Sequence, residues 1–204
     1  MKIADCHMHS FFSSDSETPT EDMVKRAIEL GLPAICLTDH YDMDYNTGEF
    51  QLDTPKYAEK IRELQEKYRG KIEIRFGVEL GLQLHLKERM EKYVTMWPFD
   101  YIIGSMHVID GKDPYYEDAF PDWTAEELYR AYFRATAENI RSFHHFQTLG
   151  HLDYVVRYGK EKSRAYSYRT FSDEIDAILK ELIQHDIALE INTGGYKAGL
   201  GVPN

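Results

Sequence analysis

The sequence predicts an α/β protein built around a parallel β-sheet. Short apolar segments alternate with longer segments of helical periodicity along all 204 residues. The segment PAICLT, residues 33–38, is continuously apolar, which is typical of a parallel strand covered on both faces. No internal repeat or low-complexity linker interrupts this alternation, and the length suits a single domain of parallel α/β architecture.

The first elements follow from local signals. Residues 2–7 are a predicted strand, followed by Thr18-Pro19-Thr20-Glu21, which has the pattern of a capping box with proline at the first helical position. The helix is predicted to run to Gly31, since glycine suits the position just past a helix end. The apolar strand 33–38 comes next, and residues 55–69 then show helical spacing of apolar side chains.

The remaining elements continue the alternation. Residues 72–80 alternate strictly between apolar and polar and are a predicted strand. Further strands are predicted at 99–105, 147–151 and 187–192, with helices at 84–95, 124–146 (opened by a capping box of Thr124 and Glu127) and 171–185. These are six strands, followed by a glycine-rich tail without a further helix. A closed barrel needs at least one more βα unit, so either the sheet is open or the chain is cut short.

Composition limits the partners and the compartment. The net charge, 24 − 35 = −11, disfavours binding to a phosphate backbone, so no nucleic-acid partner is expected. Cys6 and Cys36 are too few for a disulfide framework and are expected to pack in strands. With no apolar leader and no apolar run long enough to span a membrane, the chain is predicted to be soluble, cytoplasmic and without a membrane partner.

Polar residues suited to metal binding fall at the ends of predicted strands. His7 and His9 end the first strand at positions i and i+2, so they point to the same side. Because the carboxyl ends of parallel strands meet at one edge, ligands from several strands are predicted to converge there. The candidates at the later strands are Asp39 and His40, Glu79, His107, and His151 with Asp153.

The combined placement is the argument for a metal site. A single histidine is more often an ordinary surface or core residue, and the HxH pattern alone is a weak signal. Imidazoles joined by carboxylates from five strands form a ligand set for divalent ions, and one glutamate such as Glu79 can bridge two of them. The other histidines, which fall within predicted helices and are not assigned to the site, are His85, His144, His145 and His185.

These motifs together resemble a known family. The ordered segments HxH, TDH, GVELG, SMHVI, GHLDYVVRYG and EINTGG resemble the PHP (polymerase and histidinol phosphatase) superfamily, and within it the monofunctional histidinol-phosphate phosphatases. The resemblance covers essentially the whole chain. It implies a single PHP domain over residues 1–204, folded as a distorted (β/α)7 TIM-like barrel.

The resemblance also implies a site with two to three divalent ions, Zn, Fe or Mn. His7, His9 and Glu79 would hold the first ion, Glu79, His107 and His151 the second, and Asp15 and His40 the third. Asp15 stands where some relatives have histidine. The family's Asp-x-His on the seventh strand has no counterpart after Glu190, so the chain is expected to be truncated at its C-terminus, with the second ion least affected.

The implied activity is hydrolysis of L-histidinol phosphate to L-histidinol and phosphate, a step of histidine biosynthesis. His40 and Arg157 are the candidate catalytic residues, Arg157 as a clamp on the phosphate or else as a solvated loop residue. Asp39 either orients a histidine or caps the following turn, and Tyr41 and Tyr45 either contact the substrate or pack their loop. Alternatives are another small phosphomonoester, nucleotide or phosphotyrosyl substrate, or a truncated, weakly active metal-binding module; self-association stays open.

Overall fold

The computed structural model describes residues 4–45, 47–116, 118–159 and 166–203. Helices and strands alternate, and all strand pairs with a defined register in this part of the chain are parallel, which confirms the predicted α/β class. The chain forms two compact units: Met1–Leu80 with Tyr93–Ile103, and Gly81–Lys92 with Gly104–Asn204. Among the described residues, no helix combines the length and apolar character required to cross a bilayer.

The elements run in the following order along the chain. They are β1 Asp5–Met8, α1 Thr20–Glu29, β2 Ala34–Leu37, β3 His40–Tyr41, α2 Thr54–Lys67, β4 Glu73–Gly81, a 3-10 turn Leu84–Leu86, α3 Lys87–Met96, β5 Tyr101–Ser105, α4 Ala125–Ser142, β6 Thr148–Leu149, a 3-10 turn Tyr154–Arg157, α5 Ser172–Gln184, β7 Ala188–Leu189 and α6 Gly194–Lys197.

In the first unit the strand order is β1-β2-β4-β5, with the short strand β3 also beside β4. The register places Ala34 beside Glu73 and Leu37 beside Phe76. Strand β3 was not predicted. Its pairing sets His40 beside Glu79, so backbone hydrogen bonding brings two candidate ligands together.

Helix α2 covers this sheet with an apolar face. Tyr57, Ile61 and Leu64 recur at helical spacing and are buried, as the sequence predicted. The hydroxyl of Tyr57 donates a 2.7 Å hydrogen bond to the carbonyl of Leu37. This bond ties the helix to the end of β2, where the polar residues begin.

In the second unit β6 pairs with β7, and the N–H of Gly150 donates to the carbonyl of Gly104 at the end of β5. Helix α4 opens with the predicted capping box, in which Thr124 and Glu127 satisfy each other's backbone N–H groups. The buried aromatic side chains Tyr129, Phe133 and Phe171 pack between α4 and the segment that leads into α5.

Several predicted boundaries differ from those of the structure. The strands predicted at 147–151 and 187–192 are each only two residues long. Helix α1 begins at Thr20, with Pro19 as the N-cap and no side-chain cap, so the capping box at Thr18 does not form. Helix α4 ends at Ser142 instead of 146, because Phe143 is extended. The 84–95 helix opens with a 3-10 turn, and the glycine-rich tail contains the four-residue helix α6. The predicted strand 2–7 corresponds to β1, and its residues 2–3 lie outside the described residues.

Helices α4 and α5 are joined by a buried carboxylate, which gives a stability prediction. Arg130 Nη1 lies 3.0 Å from each carboxylate oxygen of Glu174, and Arg134 Nη2 lies 3.0 Å from one of them. We expect Glu174→Gln to lower the free energy of unfolding at pH 7 by about 2 kcal/mol, because two charge-assisted contacts are weakened in a buried setting. Urea unfolding measures this loss.

The Glu174 carboxylate also makes the free energy of unfolding depend on pH. Burial raises the pKa of Glu174, but the hydrogen bonds from Arg130 and Arg134 outweigh it and hold the pKa below its usual value. The stabilisation is therefore present above the unfolded-state pKa of about 4.3 and is lost as the pH falls through the lower folded-state value. The control is Glu126→Gln, an exposed partner of the same Arg130, which is expected to cost under about 0.5 kcal/mol. Equal losses in both variants would contradict the prediction.

Candidate metal centre

The centre of the site in the first unit is one oxygen of Glu79. Its Oε2 atom lies 3.0 Å from His7 Nε2, 2.9 Å from His9 Nε2 and 3.2 Å from His40 Nε2. Glu79 has no exposed surface. The parallel pairing of β1, β2, β3 and β4 explains the convergence. His7 and His9 lie at and just beyond the carboxyl end of β1, and the pairing of β3 with β4 sets His40 beside Glu79.

Asp15 extends the cluster from the loop after β1. Its Oδ2 atom lies 2.9 Å from His9 Nδ1 and 3.7 Å from His40 Nε2. The ligand atoms of His9, Asp15 and His40 all lie within 4.8 Å of one another, a grouping that could hold a metal ion. The imidazole of His9 thus contacts both carboxylates, one through each ring nitrogen.

The electrostatics of the cluster follow from these contacts. Burial lowers the pKa of His9, but hydrogen bonds to Asp15 and Glu79 outweigh burial and raise that pKa to about 9. Burial raises the pKa of Asp15, and the opposing hydrogen bond and charge of His9 bring it below its usual value. The Asp15 carboxylate is therefore favoured in its ionised form, which attracts positive charge to this point of the fold.

The spacing fits a divalent ion better than it fits the side chains' own hydrogen bonds. One carboxylate oxygen has two lone pairs, yet three imidazole nitrogens approach Glu79 Oε2. Ligands bound at about 2.0–2.1 Å around one ion stand roughly 3 to 3.4 Å apart. Nitrogen and oxygen atoms at such separations form a mixed set suited to Zn, Fe or Mn.

Supporting residues also come from the first unit. Asp42, which the sequence analysis did not single out, is buried and lies 3.3 Å from His40 Nδ1 through its Oδ2 atom. The Asp39 carboxylate accepts hydrogen bonds from the backbone N–H and the hydroxyl of Ser10. Asp39 was predicted either to orient a histidine or to cap the following turn. The carboxylate that contacts an imidazole nitrogen is that of Asp42, whereas the Asp39 carboxylate binds Ser10.

The tyrosines near β3 and the two cysteines lie in apolar or partly buried surroundings. The ring of Tyr41 lies 4.5 Å from that of Tyr93, and Tyr45 is buried with its ring 5.0 Å from Phe50. Cys36 is buried as predicted, and burial raises the pKa of its thiol, while Cys6 is only half-buried. The ring contacts support a packing role for Tyr41 and Tyr45, and burial supports one for Cys36, whereas Cys6 is less buried than the sequence predicted.

The remaining predicted ligands lie in the second unit. His107 and His151 are buried, and their ring centroids are 5.5 Å apart. The ring of Tyr154 lies 5.4 Å from His107 and 5.2 Å from His151. The backbone N–H of His151 donates a 2.8 Å hydrogen bond to the Glu190 carboxylate, which fixes the chain at the end of β6.

Arg157 ends the 3-10 turn of this unit. Its guanidinium carbon lies 5.6 Å from the centre of the Tyr154 ring, and its Nη2 atom lies 3.3 Å from Asn192 Oδ1. A Cβ atom at Gly194 would come within 2.9 Å of the same Nη2 atom. The guanidinium is therefore held against an aromatic ring, an amide and the backbone at the start of α6.

Ion binding should stabilise the fold through this cluster. An ion that binds only the folded state at 100 times its Kd adds about 2.7 kcal/mol to the free energy of unfolding. We expect Mn²⁺ or Zn²⁺ to produce such a gain, and His9→Ala to abolish most of it, since His9 contacts both carboxylates. Chemical unfolding with and without chelator measures the difference.

The matched control is His185→Ala. His185 stacks on His144 at 3.8 Å and takes no part in the cluster around Glu79. This variant should keep the full metal-dependent gain. An equal loss of the gain in the two variants would argue against the cluster as the binding site.

The fold and this cluster together define an α/β protein with a group of histidine and carboxylate side chains that could hold a metal ion. Comparison with protein families identifies a PHP domain over residues 5–194. The chain belongs to the PHP domain family, as its motifs predicted.

Relatives and a solved structure agree with this assignment. The chain is 35% identical over 199 residues to the histidinol-phosphatase of Lactococcus lactis, covering 95% of this chain and 72% of the relative. It is 32% identical to a probable histidinol-phosphatase of Thermotoga maritima, covering 99% and 75%. The crystal structure of the L. lactis histidinol phosphate phosphatase, in complex with Zn, L-histidinol and phosphate, matches with a TM-score of 0.91 at 34% identity, covering 96% and 75%.

Proposed function

We propose that the protein is a metal-dependent phosphatase that hydrolyses L-histidinol phosphate to L-histidinol and phosphate. The observation that carries this proposal is the approach of His7, His9 and His40 to one buried oxygen of Glu79. Support for the substrate comes from the relatives named histidinol-phosphatase and from the L. lactis structure with L-histidinol and phosphate. A biosynthetic role in the cytoplasm follows from the same reading.

The residues of the first unit would hold the ions. His7, His9, Asp15, His40 and Glu79 are the proposed ligands there, and the assignment of His107 and His151 as further ligands stays a prediction from the sequence. Bound divalent ions neutralise phosphate charge and make hydroxide available near neutral pH. Because Glu79 and His40 are buried, their electrostatic interactions are stronger than they would be in water.

The proposed roles of the protein side chains are to orient the reacting groups and to stabilise the charge that develops on the phosphate. Phosphoryl transfer needs little covalent chemistry from a protein, so orientation and charge supply most of the rate increase. Asp42 faces the Nδ1 side of the His40 imidazole and helps to fix the orientation of that ring. His40 is thus the proposed catalytic histidine with the best-supported geometry.

Arg157 is the proposed phosphate clamp. A guanidinium can bind two phosphate oxygens at once, and the contacts of Arg157 with Tyr154 and Asn192 restrict its orientation. We expect Arg157→Ala to lower kcat/KM by about 10- to 100-fold, mainly through KM, because a charge-assisted bidentate contact is lost. Steady-state kinetics measure this loss, with the exposed Arg169→Ala as the control. Parent kinetics in Arg157→Ala would remove it from the site.

The proposed function is tested by substrate selectivity. Phosphate release is measured with L-histidinol phosphate and with p-nitrophenyl phosphate, each in the presence of Mn²⁺, Fe²⁺ or Zn²⁺. Preferential turnover of L-histidinol phosphate is the expected result. Equal turnover of both esters would indicate a phosphoesterase of broader specificity. No turnover with any metal would leave a metal-binding protein and overturn the proposal.

A further inference from the structure

Four polar side chains lie buried next to the metal ligands of the first unit. Asp39, Ser10 and Thr20 have no exposed surface, and Ser13 has 2%. Burial of polar groups costs free energy unless hydrogen bonds compensate it. The contacts within this group, called here the serine–aspartate network, show how that cost is offset.

Asp39 is the acceptor at the centre of the serine–aspartate network. Its Oδ1 atom accepts a 2.6 Å hydrogen bond from the backbone N–H of Ser10, and its Oδ2 atom accepts a 2.9 Å bond from the Ser10 hydroxyl. The side chain of Ser13 also hydrogen-bonds to this carboxylate. The Thr20 hydroxyl donates to the Ser10 hydroxyl at 3.1 Å, which adds the first residue of α1.

Asp39 is hydrogen-bonded, directly or through Ser13, to the three chain segments that carry His9, Glu79 and His40. Ser10 directly follows His9 in the chain, so the two bonds from Asp39 fix the backbone on which His9 stands. The Asp39 carbonyl accepts the backbone N–H of Glu79 at 3.2 Å.

The third segment is that of His40. It follows Asp39 directly, and its backbone N–H donates a 2.7 Å bond to the Ser13 hydroxyl. Ser13 in turn precedes Asp15 by two residues. Of the three histidines near Glu79 Oε2, His9 and His40 thus stand on backbone that Asp39 holds directly or through one serine.

We infer that Asp39 is a positioning residue, which sets the spacing of His9, His40 and Glu79 for metal binding without contacting the ion. The inference rests on the proposed function only in that this cluster is taken as the metal site. A carboxylate suits the role, because both oxygens accept hydrogen bonds and ionised acceptors form the stronger ones. An amide keeps one acceptor oxygen and turns an NH₂ group toward the Ser10 hydroxyl.

The test measures Mn²⁺ binding directly, by calorimetry or electron paramagnetic resonance, in parallel with the Tm of the metal-free protein. Asp39→Ala is expected to weaken Mn²⁺ binding at least about tenfold, the size of effect typical for residues that hold metal ligands in place. Asp39→Asn should recover part of the affinity, since its amide oxygen still accepts from Ser10. If the proposed activity holds, excess Mn²⁺ should restore most of the turnover of Asp39→Ala.

The control is Thr54→Ala. Thr54 is buried in the same unit and hydrogen-bonds to the Tyr93 hydroxyl at 2.8 Å, and neither residue is a proposed metal ligand. Its loss should lower the Tm but leave the Mn²⁺ affinity unchanged. Parent affinity in Asp39→Ala, or an equal loss in Thr54→Ala, would overturn the inference. Because binding is measured without substrate, weak binding by Asp39→Ala supports the inference even if L-histidinol phosphate is not turned over.

Discussion

Glu79→Gln is expected to lower kcat/KM for phosphate-ester hydrolysis at least about 1,000-fold, since roughly 4 kcal/mol of metal-derived stabilisation would be lost. Three imidazoles approach one oxygen of this side chain, so the substitution alters three contacts at the centre of the cluster at once. Glutamine has nearly the same size but no charge, and its NH₂ group cannot ligate a cation. The effect therefore reports charge and ligation rather than lost volume.

Steady-state kinetics and metal analysis of the purified variant measure both consequences. The matched control is Glu73→Gln on the same strand, where the side chain is exposed and pairs with Arg75. That variant should stay within about twofold of the parent, as is usual for exposed ion pairs. Activity of Glu79→Gln within tenfold of the parent would refute its central role.

Asp15→Ala is expected to have the second-largest effect, a fall in kcat/KM of at least about 100-fold. Asp15 contacts His9 and His40 and supplies an oxygen ligand near both imidazoles. Asp15→His should recover much of the activity, because it keeps a donor atom at the same position. The recovered activity should favour Zn²⁺ over Mn²⁺, since imidazole suits zinc and carboxylate oxygen suits manganese.

Activity across Mn²⁺, Fe²⁺ and Zn²⁺ titrations, compared between the parent and both variants, measures the change. Asp22→Ala serves as the control, because Asp22 lies on the exposed side of α1 and pairs with Lys25. A histidine variant as inactive as the alanine variant would show that the position requires a carboxylate.

The fold was predictable where the apolar pattern is long or strict. The residues of strand β4 alternate between apolar side chains and polar residues or glycine, and the capping box of α4 is a local motif. Both elements were therefore predictable from the sequence. Strand β3 has two residues and no periodicity to detect. The end of α4 was predicted too late because Phe143 and Phe146 are buried beyond the end of the helix, and their spacing resembles that of a helix.

The start of α1 shows how tertiary contacts override a local motif. The predicted box needs the Glu21 carboxylate to turn back toward Thr18. In the folded chain that carboxylate accepts hydrogen bonds from the Tyr68 hydroxyl at 2.7 Å and from Lys67 at 3.0 Å, both at the end of α2. The hydroxyl of Thr20 is likewise engaged, by Ser10. Neither partner is near in sequence, so the motif alone could not reveal the competition.

The candidate site was predictable to a similar degree. The ends of parallel strands indicated His7, His9, His40 and Glu79, and the structure brings these four together. Asp42 and the serine–aspartate network were missed, because aspartate and serine near turns usually serve only the local backbone. What distinguishes them is their burial, which the sequence pattern does not contain.

The hydrogen bond from Thr20 to Ser10 makes the first residue of α1 part of the network beneath the proposed metal ligands. A mutational survey restricted to side chains that contact the proposed ligands would place Thr20 among the tolerant positions, because its hydroxyl donates to Ser10. The Thr20 hydroxyl donates to the Ser10 hydroxyl, which donates to the Asp39 carboxylate, and Asp39 directly precedes His40 in the chain. Redesign of this helix for stability should therefore begin at its second turn and keep the threonine hydroxyl in place.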